Sequence, residues 1–158
     1  TINNYMLIEF PAIIVPNNFD ETFFQLKLRG ITPILAHPER YRFVQEDVGK
    51  LERLKEMDVL FQIDAGSIIG HFGNKTKKTS MNMLTKGYCH LIGSDAHNDK
   101  RRSFCLKDAY NIINSNEAVS TLKKNSENLF SGKGALKSVR LELKKNFFEI
   151  LKEKVLNT

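Results

Sequence analysis

Asp95 and His97 stand two residues apart in Gly93-Ser94-Asp95-Ala96-His97-Asn98, just after the apolar pair Leu91-Ile92. Beyond a strand, both side chains can face one site, and a carboxylate with an imidazole suits divalent zinc, manganese or iron. The competing reading has Asp95 capping the next turn and His97 on the surface. A second group is Ala36-His37-Pro38-Glu39-Arg40-Tyr41. Proline cannot continue an ordinary central strand, so His37 falls at a strand end with Glu39 and Arg40 just beyond it. Its plainer reading is a core histidine beside a Glu39–Arg40 surface pair. The third group is Leu7-Ile8-Glu9-Phe10-Pro11. A carboxylate in an apolar run is costly unless it is paired or binds a metal, and a paired structural glutamate is the alternative. Each signal is ambiguous alone. Together they place Glu9, His37 and Asp95-x-His97, all donors for a divalent ion, at the ends of strands.

Those strands alternate with helices. Apolar runs at 5–10, 32–36, 59–63 and 90–93 read as strands. The apolar period of a helix recurs over 19–29, 47–57, 75–86, 103–113 and 117–124, and Gly30 and Gly87 supply stops. Alternation of this kind implies a parallel sheet or barrel, with its site at the carboxy ends of the strands. Four strands are half of the roughly eight that close a barrel. Asp64 and Ser67, at the end of the third strand, can orient ligands or substrate. His90, starting the fourth, suits either a supporting role behind Asp95 or simple packing. The segment 66–80 is polar and glycine-bearing, reads as a loop over the rim, and exposes His71. Ser131-Gly132-Lys133-Gly134 reads as a hinge. Beyond it, Leu136, Val139, Leu143, Phe147, Ile150, Leu151 and Val155 recur at helical spacing, so 132–158 is expected to form an amphipathic basic helical tail on a domain spanning 1–131.

Composition narrows the class without choosing the chemistry. The chain has 158 residues, 41% hydrophobic and 27% charged, enough for one soluble domain with a core. No apolar run approaches the roughly 20 residues that span a bilayer. Cys89 and Cys105 fit two reduced, buried thiols of a cytoplasmic protein. A thiol phosphatase loop, Cys-x5-Arg, needs arginine at 95 or 111, and Asp95 and Asn111 stand there. The net charge of +6 favours anionic partners, but much of the excess follows Lys133. No helix-turn-helix signal or basic surface interleaved with aromatics supports nucleic-acid binding.

Five segments in this order and spacing carry a resemblance. They are Leu-Ile-Glu-Phe-Pro at 7–11, Pro-Ile-Leu-Ala-His-Pro-Glu-Arg-Tyr at 33–41, Gln-Ile-Asp-Ala-Gly-Ser at 62–67, His-Leu-Ile-Gly-Ser-Asp-Ala-His-Asn at 90–98 and Asn-Ser-Glu-Asn-Leu-Phe at 125–130. From about Tyr5 to Phe130 the sequence resembles the PHP-superfamily, metal-dependent tyrosine phosphatases encoded with bacterial capsule and exopolysaccharide genes. The resemblance implies a distorted (β/α)7 barrel holding up to three metals, commonly manganese. It implies that Glu9, His37, Asp95 and His97 are metal ligands and that Arg40 and Arg102 hold the substrate phosphate. Arg101 leaves the register of the second arginine open by one residue. The implied substrate is a phosphotyrosine protein, a bacterial tyrosine kinase in particular, and a homo-oligomer is compatible with it. The phosphate ester would be hydrolysed by metal-activated water.

One departure is large. The family's amino-terminal His-x-His is absent, since the histidines are His37, His71, His90 and His97. Four ligands do not fill the shells of two or three ions that each take about four to six donors. The expectation is therefore the carboxy-terminal part of a catalytic domain, with roughly 100 further residues upstream. Two other readings stay open: a phosphoesterase for a small metabolite such as histidinol phosphate, and a noncatalytic basic binding module.

Overall fold

Four short strands run parallel in the order β1 (Tyr5–Ile8), β2 (Thr32–Ala36), β3 (Leu60–Asp64), β4 (Leu91–Gly93). The structure, a computed structural model, describes residues 2–11, 13, 18–97 and 104–142. Neighbouring strands pair in sequence order, with Ile8 beside Leu35, Leu35 beside Phe61, and Ile63 beside Ile92. Parallel neighbours need a crossover. Helix α1 (Phe19–Leu28) makes the first. The second uses a 3-10 turn Pro38–Arg40, α2 (Arg42–Glu46), a 3-10 turn Val48–Lys50 and α3 (Leu51–Glu56). The third uses α4 (Ala65–Ile69) and α5 (Gly73–Lys86), and α6 (Leu106–Ile113) and α7 (Asn116–Ser131) follow β4.

The mixed α/β class expected from the alternation is thus present, as a parallel four-stranded sheet. Leu35, Phe61, Ile63 and Ile92 bury into the main core with Val44, Leu51, Leu54, Met83, Leu84 and Leu122 from the helices. A smaller cluster holds Ile34, Leu91 and Leu136, with Tyr5, Leu60 and Leu129 against it. Burying such a side chain contributes roughly 1.5–3 kcal/mol, so the central strands β2 and β3 anchor the sheet. Edge strand β1 leaves Leu7 exposed.

Two expectations are corrected. The segment 66–80 is not an open loop: α4 takes its start, and α5 begins at Gly73, two residues before the helix expected from 75, with Thr76, Thr79 and Ser80 buried. Its polar residues misled because they settle their hydroxyls on the helix itself, Thr79 donating to Lys75 O and Ser80 to Lys77 O. The expected tail helix does not begin within the described residues. From Lys133 to Glu142 the backbone is neither helix nor strand, and it buries Leu136, Val139 and Leu141. Its bonds go outward: Val139 N–H donates to Cys89 O at 2.7 Å and Leu141 N–H to Leu84 O at 3.0 Å. Asn125, 1% exposed, donates to Lys137 O and His90 O at 2.7 Å each and accepts from Lys137 N–H at 3.0 Å. These long-range bonds outcompete a local helix. Residues 143–158 of the proposed tail lie outside the described residues.

Candidate active site at the carboxy ends of the strands

Glu9 follows β1, His37 follows β2, Asp64 ends β3 and Asp95 lies two residues past β4, so all four stand on one rim. Two of these positions bend sharply. His37 has φ 33° and Asp95 has φ 44°, in the left-handed region that costs a non-glycine residue roughly 1–2 kcal/mol. Outliers of this kind gather where a side chain must be aimed rather than merely packed.

Tyr41 braces the first two positions. Its hydroxyl donates to Ala36 O at 2.8 Å and accepts from Phe10 N–H at 2.9 Å. One buried hydroxyl thus ties the residue after Glu9 to the residue before His37. The His37 Nε2 lies 3.3 Å from Glu9 Oε1. Burial, helped by the nearby Arg40 guanidinium, holds the His37 imidazole below its usual pKa, against Glu9 and Asp95. The neutral ring favoured at pH 7 is the form that ligates metals. Its Nδ1 is buried without a hydrogen-bond partner among the described residues.

Arg40 is the hub of the rim. Its NH1 donates to Asp95 Oδ2 at 3.0 Å and to Asp64 Oδ2 at 3.5 Å, and its Cζ lies 4.5 Å from the centre of the Phe72 ring. Burial raises the Asp64 carboxyl, opposed by the Gly66 N–H, which donates to Asp64 Oδ1 at 2.7 Å, and by Arg40. Glu39 does not form the surface pair with Arg40 that the plainer reading required. It is fully buried, and its Oε1 accepts from Asp64 N–H at 3.0 Å. Burial pushes its carboxyl up to about 7, against the Ser67 hydroxyl and the Asp64 N–H, which favour the ionised form.

The other candidates divide. His97 is exposed, with Nδ1 2.7 Å from Asp95 O and 3.8 Å from Asp95 Oδ1. It sits beside Asp95, and nothing described joins it to the Glu9–His37 pair. His90 lies at the opposite, amino end of β4. Its Nδ1 accepts from Phe61 N–H at 3.1 Å, so of its two readings packing holds. His71 is exposed, as expected. Arg101, Arg102 and Asn98 lie outside the described residues. The roles of Tyr41, Glu39 and Phe72 went unread. Tyr41 and Glu39 stand inside the segment 33–41, whereas Phe72 lies in a polar, glycine-bearing stretch that gives no sequence signal for it.

For a divalent ion, the donors fit in type and not in number. Glu9–His37 and Asp95–His97 are carboxylate–imidazole pairs, and His37 Nδ1 is a buried atom lacking a partner. Among the described residues, however, no three His, Cys, Asp or Glu side chains are grouped to hold a metal ion. The rim therefore offers part of a coordination shell.

Comparison with known proteins decides the family. The capsular polysaccharide synthesis family CpsB/CapC matches residues 1–130. The chain belongs to the CpsB/CapC family. Within it, tyrosine-protein phosphatase YwqE of Bacillus subtilis is 38% identical over 109 residues, 69% of this chain and 43% of YwqE. Tyrosine-protein phosphatase CpsB of Streptococcus agalactiae is 30% identical over 120 residues, 72% of this chain and 49% of that protein. A crystal structure from work on YwqE of B. subtilis and CpsB of Streptococcus pneumoniae, described as unique metal-dependent tyrosine phosphatases, superposes with a TM-score of 0.81 at 33% identity. It covers 90% of this chain and 59% of its own. The chain thus spans about half the length of the curated CpsB/CapC relatives it matches.

Proposed function

We propose that this chain supplies part of the active site of a metal-dependent phosphatase that hydrolyses phosphotyrosine in proteins and serves capsular or exopolysaccharide synthesis. The observation that carries the reading is one rim on which Arg40 meets Asp95 at 3.0 Å while His37 meets Glu9 at 3.3 Å. A phosphate-binding cation and metal-type donors are neighbours there, and the named relatives and the solved structure support the phosphatase chemistry.

Glu9, His37, Asp95 and His97 would hold the metal, manganese in this proposal, within a PHP-type barrel whose other ligands lie outside this set. A bound divalent ion supplies activated water and neutralises phosphoryl charge. The chain's own residues do the rest. Arg40 presents a planar fork that can donate two hydrogen bonds to a phosphoryl group, and Arg102 would be its companion. Glu9 and Tyr41 keep His37 in place. A phenol leaves with a pKa of about 10, so little proton donation to the leaving group is required. The substrate is taken to be a cytoplasmic phosphotyrosine protein, a tyrosine kinase by family resemblance.

The test is hydrolysis of a phosphotyrosine peptide beside a phosphoserine peptide and histidinol phosphate, using protein stripped by chelator and resupplied with manganese. Manganese-restored turnover of phosphotyrosine above the other two is expected, with Arg40→Lys lowering kcat/KM about 10- to 100-fold through loss of the fork. A preference for histidinol phosphate would replace this reading with a metabolite phosphoesterase.

A further inference from the structure

The motif Asp64-Ala65-Gly66-Ser67 and the turn after α4 are not absorbed by the ligands and arginines above. Helix α4 ends at Gly70, with φ 102°, and His71 N–H returns to Gly66 O at 2.8 Å. That turn brings the half-buried Phe72 back over the start of α4. A Cβ added at Gly66 would stand 2.9 Å from Phe72 Cε2 and 3.2 Å from Asp64 Oδ1. Position 66 therefore has room for glycine alone unless the ring moves. The face of that ring lies under Arg40, whose Cζ is 4.5 Å from its centre.

Arg40 needs such a support. Among the described residues, NH1 alone meets the carboxylates of Asp95 and Asp64, leaving Nε and NH2 unbonded. A guanidinium held through one nitrogen can pivot about that contact. An aromatic face beneath it fixes its plane, because guanidinium is planar and weakly hydrated and stacks on π-systems.

We propose that Phe72, seated on Gly66, is a positioning residue that holds the Arg40 guanidinium flat so that Nε and NH2 face an incoming phosphate ester. The inference rests on the phosphoesterase reading of the rim and adds to it the device that orients its arginine. Phe72 does not touch the ester; it acts through Arg40.

The experiment compares the 158-residue chain with Phe72→Leu, Phe72→Tyr and Gly66→Ala. It reads the ring-current shift of the Arg40 side-chain signals by NMR and the affinity for inorganic phosphate at the Arg40 Nε–H signal. Circular dichroism checks that each variant is folded. In Phe72→Leu the ring-current shift should vanish and phosphate binding weaken about five- to tenfold, the range of a partly desolvated cation–π contact. Phe72→Tyr should keep both within twofold, and Gly66→Ala should move as Phe72→Leu does. Phosphate affinity in Phe72→Leu within twofold of wild type overturns the inference and leaves the phosphatase reading standing. A wild-type chain that shows the Arg40 shift yet binds no phosphate overturns the inference, whether or not that reading stands. Aryl phosphate hydrolysis by the wild type then tells the two failures apart.

Discussion

At the scale of single residues, the rim depends on groups that touch no substrate. Tyr41 is the clearest, because its hydroxyl satisfies Phe10 N–H and Ala36 O together. Tyr41→Phe keeps the ring and strands both backbone groups in the interior. It should cost about 1–3 kcal/mol in urea unfolding and loosen the aim of Glu9 and His37. His90 makes a separate prediction. Burial, helped by Lys55, lowers its pKa from 6.5 to about 4. The folded pKa lies below the unfolded one, so between about 6.5 and 4 the unfolded chain binds more protons. Stability is whole above that window and falls with pH through it, by up to about 3 kcal/mol. His90→Asn keeps an acceptor near Phe61 N–H and should flatten the acid limb of stability against pH over that window. An unchanged limb would show that His90 is not what titrates.

At the scale of elements, the short strands were legible because β2 and β3 are short, mostly apolar runs bounded by Pro38 after His37 and by the capping Asp64. The ligand candidates were legible for the same reason: chemistry-bearing side chains follow apolar runs. Other features were hidden by competition. Thr79 and Ser80, in the polar first half of α5, close their hydroxyls onto that helix, while Thr76 accepts from Gln45 Nε2. Leu136 and Val139 have helical spacing, yet partners some 50 residues away on Cys89 and Leu84 take the backbone of that segment. No local pattern announces such a bond. Asn125 is the clasp of this arrangement. Asn125→Ala should destabilise the protein by about 2–3 kcal/mol, and hydrogen exchange should rise first at Val139 and Leu141. Uniform protection loss across the sheet would contradict a local clasp.

At the scale of the whole molecule, one parallel sheet collects a carboxylate–imidazole pair and an arginine–carboxylate pair on a single rim. Family membership was legible because five motifs keep their order along residues 1–130. The shortfall of the metal shell was legible too, in four histidines without a His-x-His, whereas which of the remaining donors converge in space was not. The net charge of +6 suits an anionic partner, but it does not distinguish one phosphate ester from another. The most direct test is manganese uptake and phosphotyrosine-peptide hydrolysis by a protein that joins this chain to the rest of the barrel, and by its His37→Ala variant, measured side by side. Uptake and turnover are expected in the wild type, with His37→Ala weakening both at least tenfold. Undiminished manganese uptake and turnover in His37→Ala would contradict the assignment of this rim as the active site.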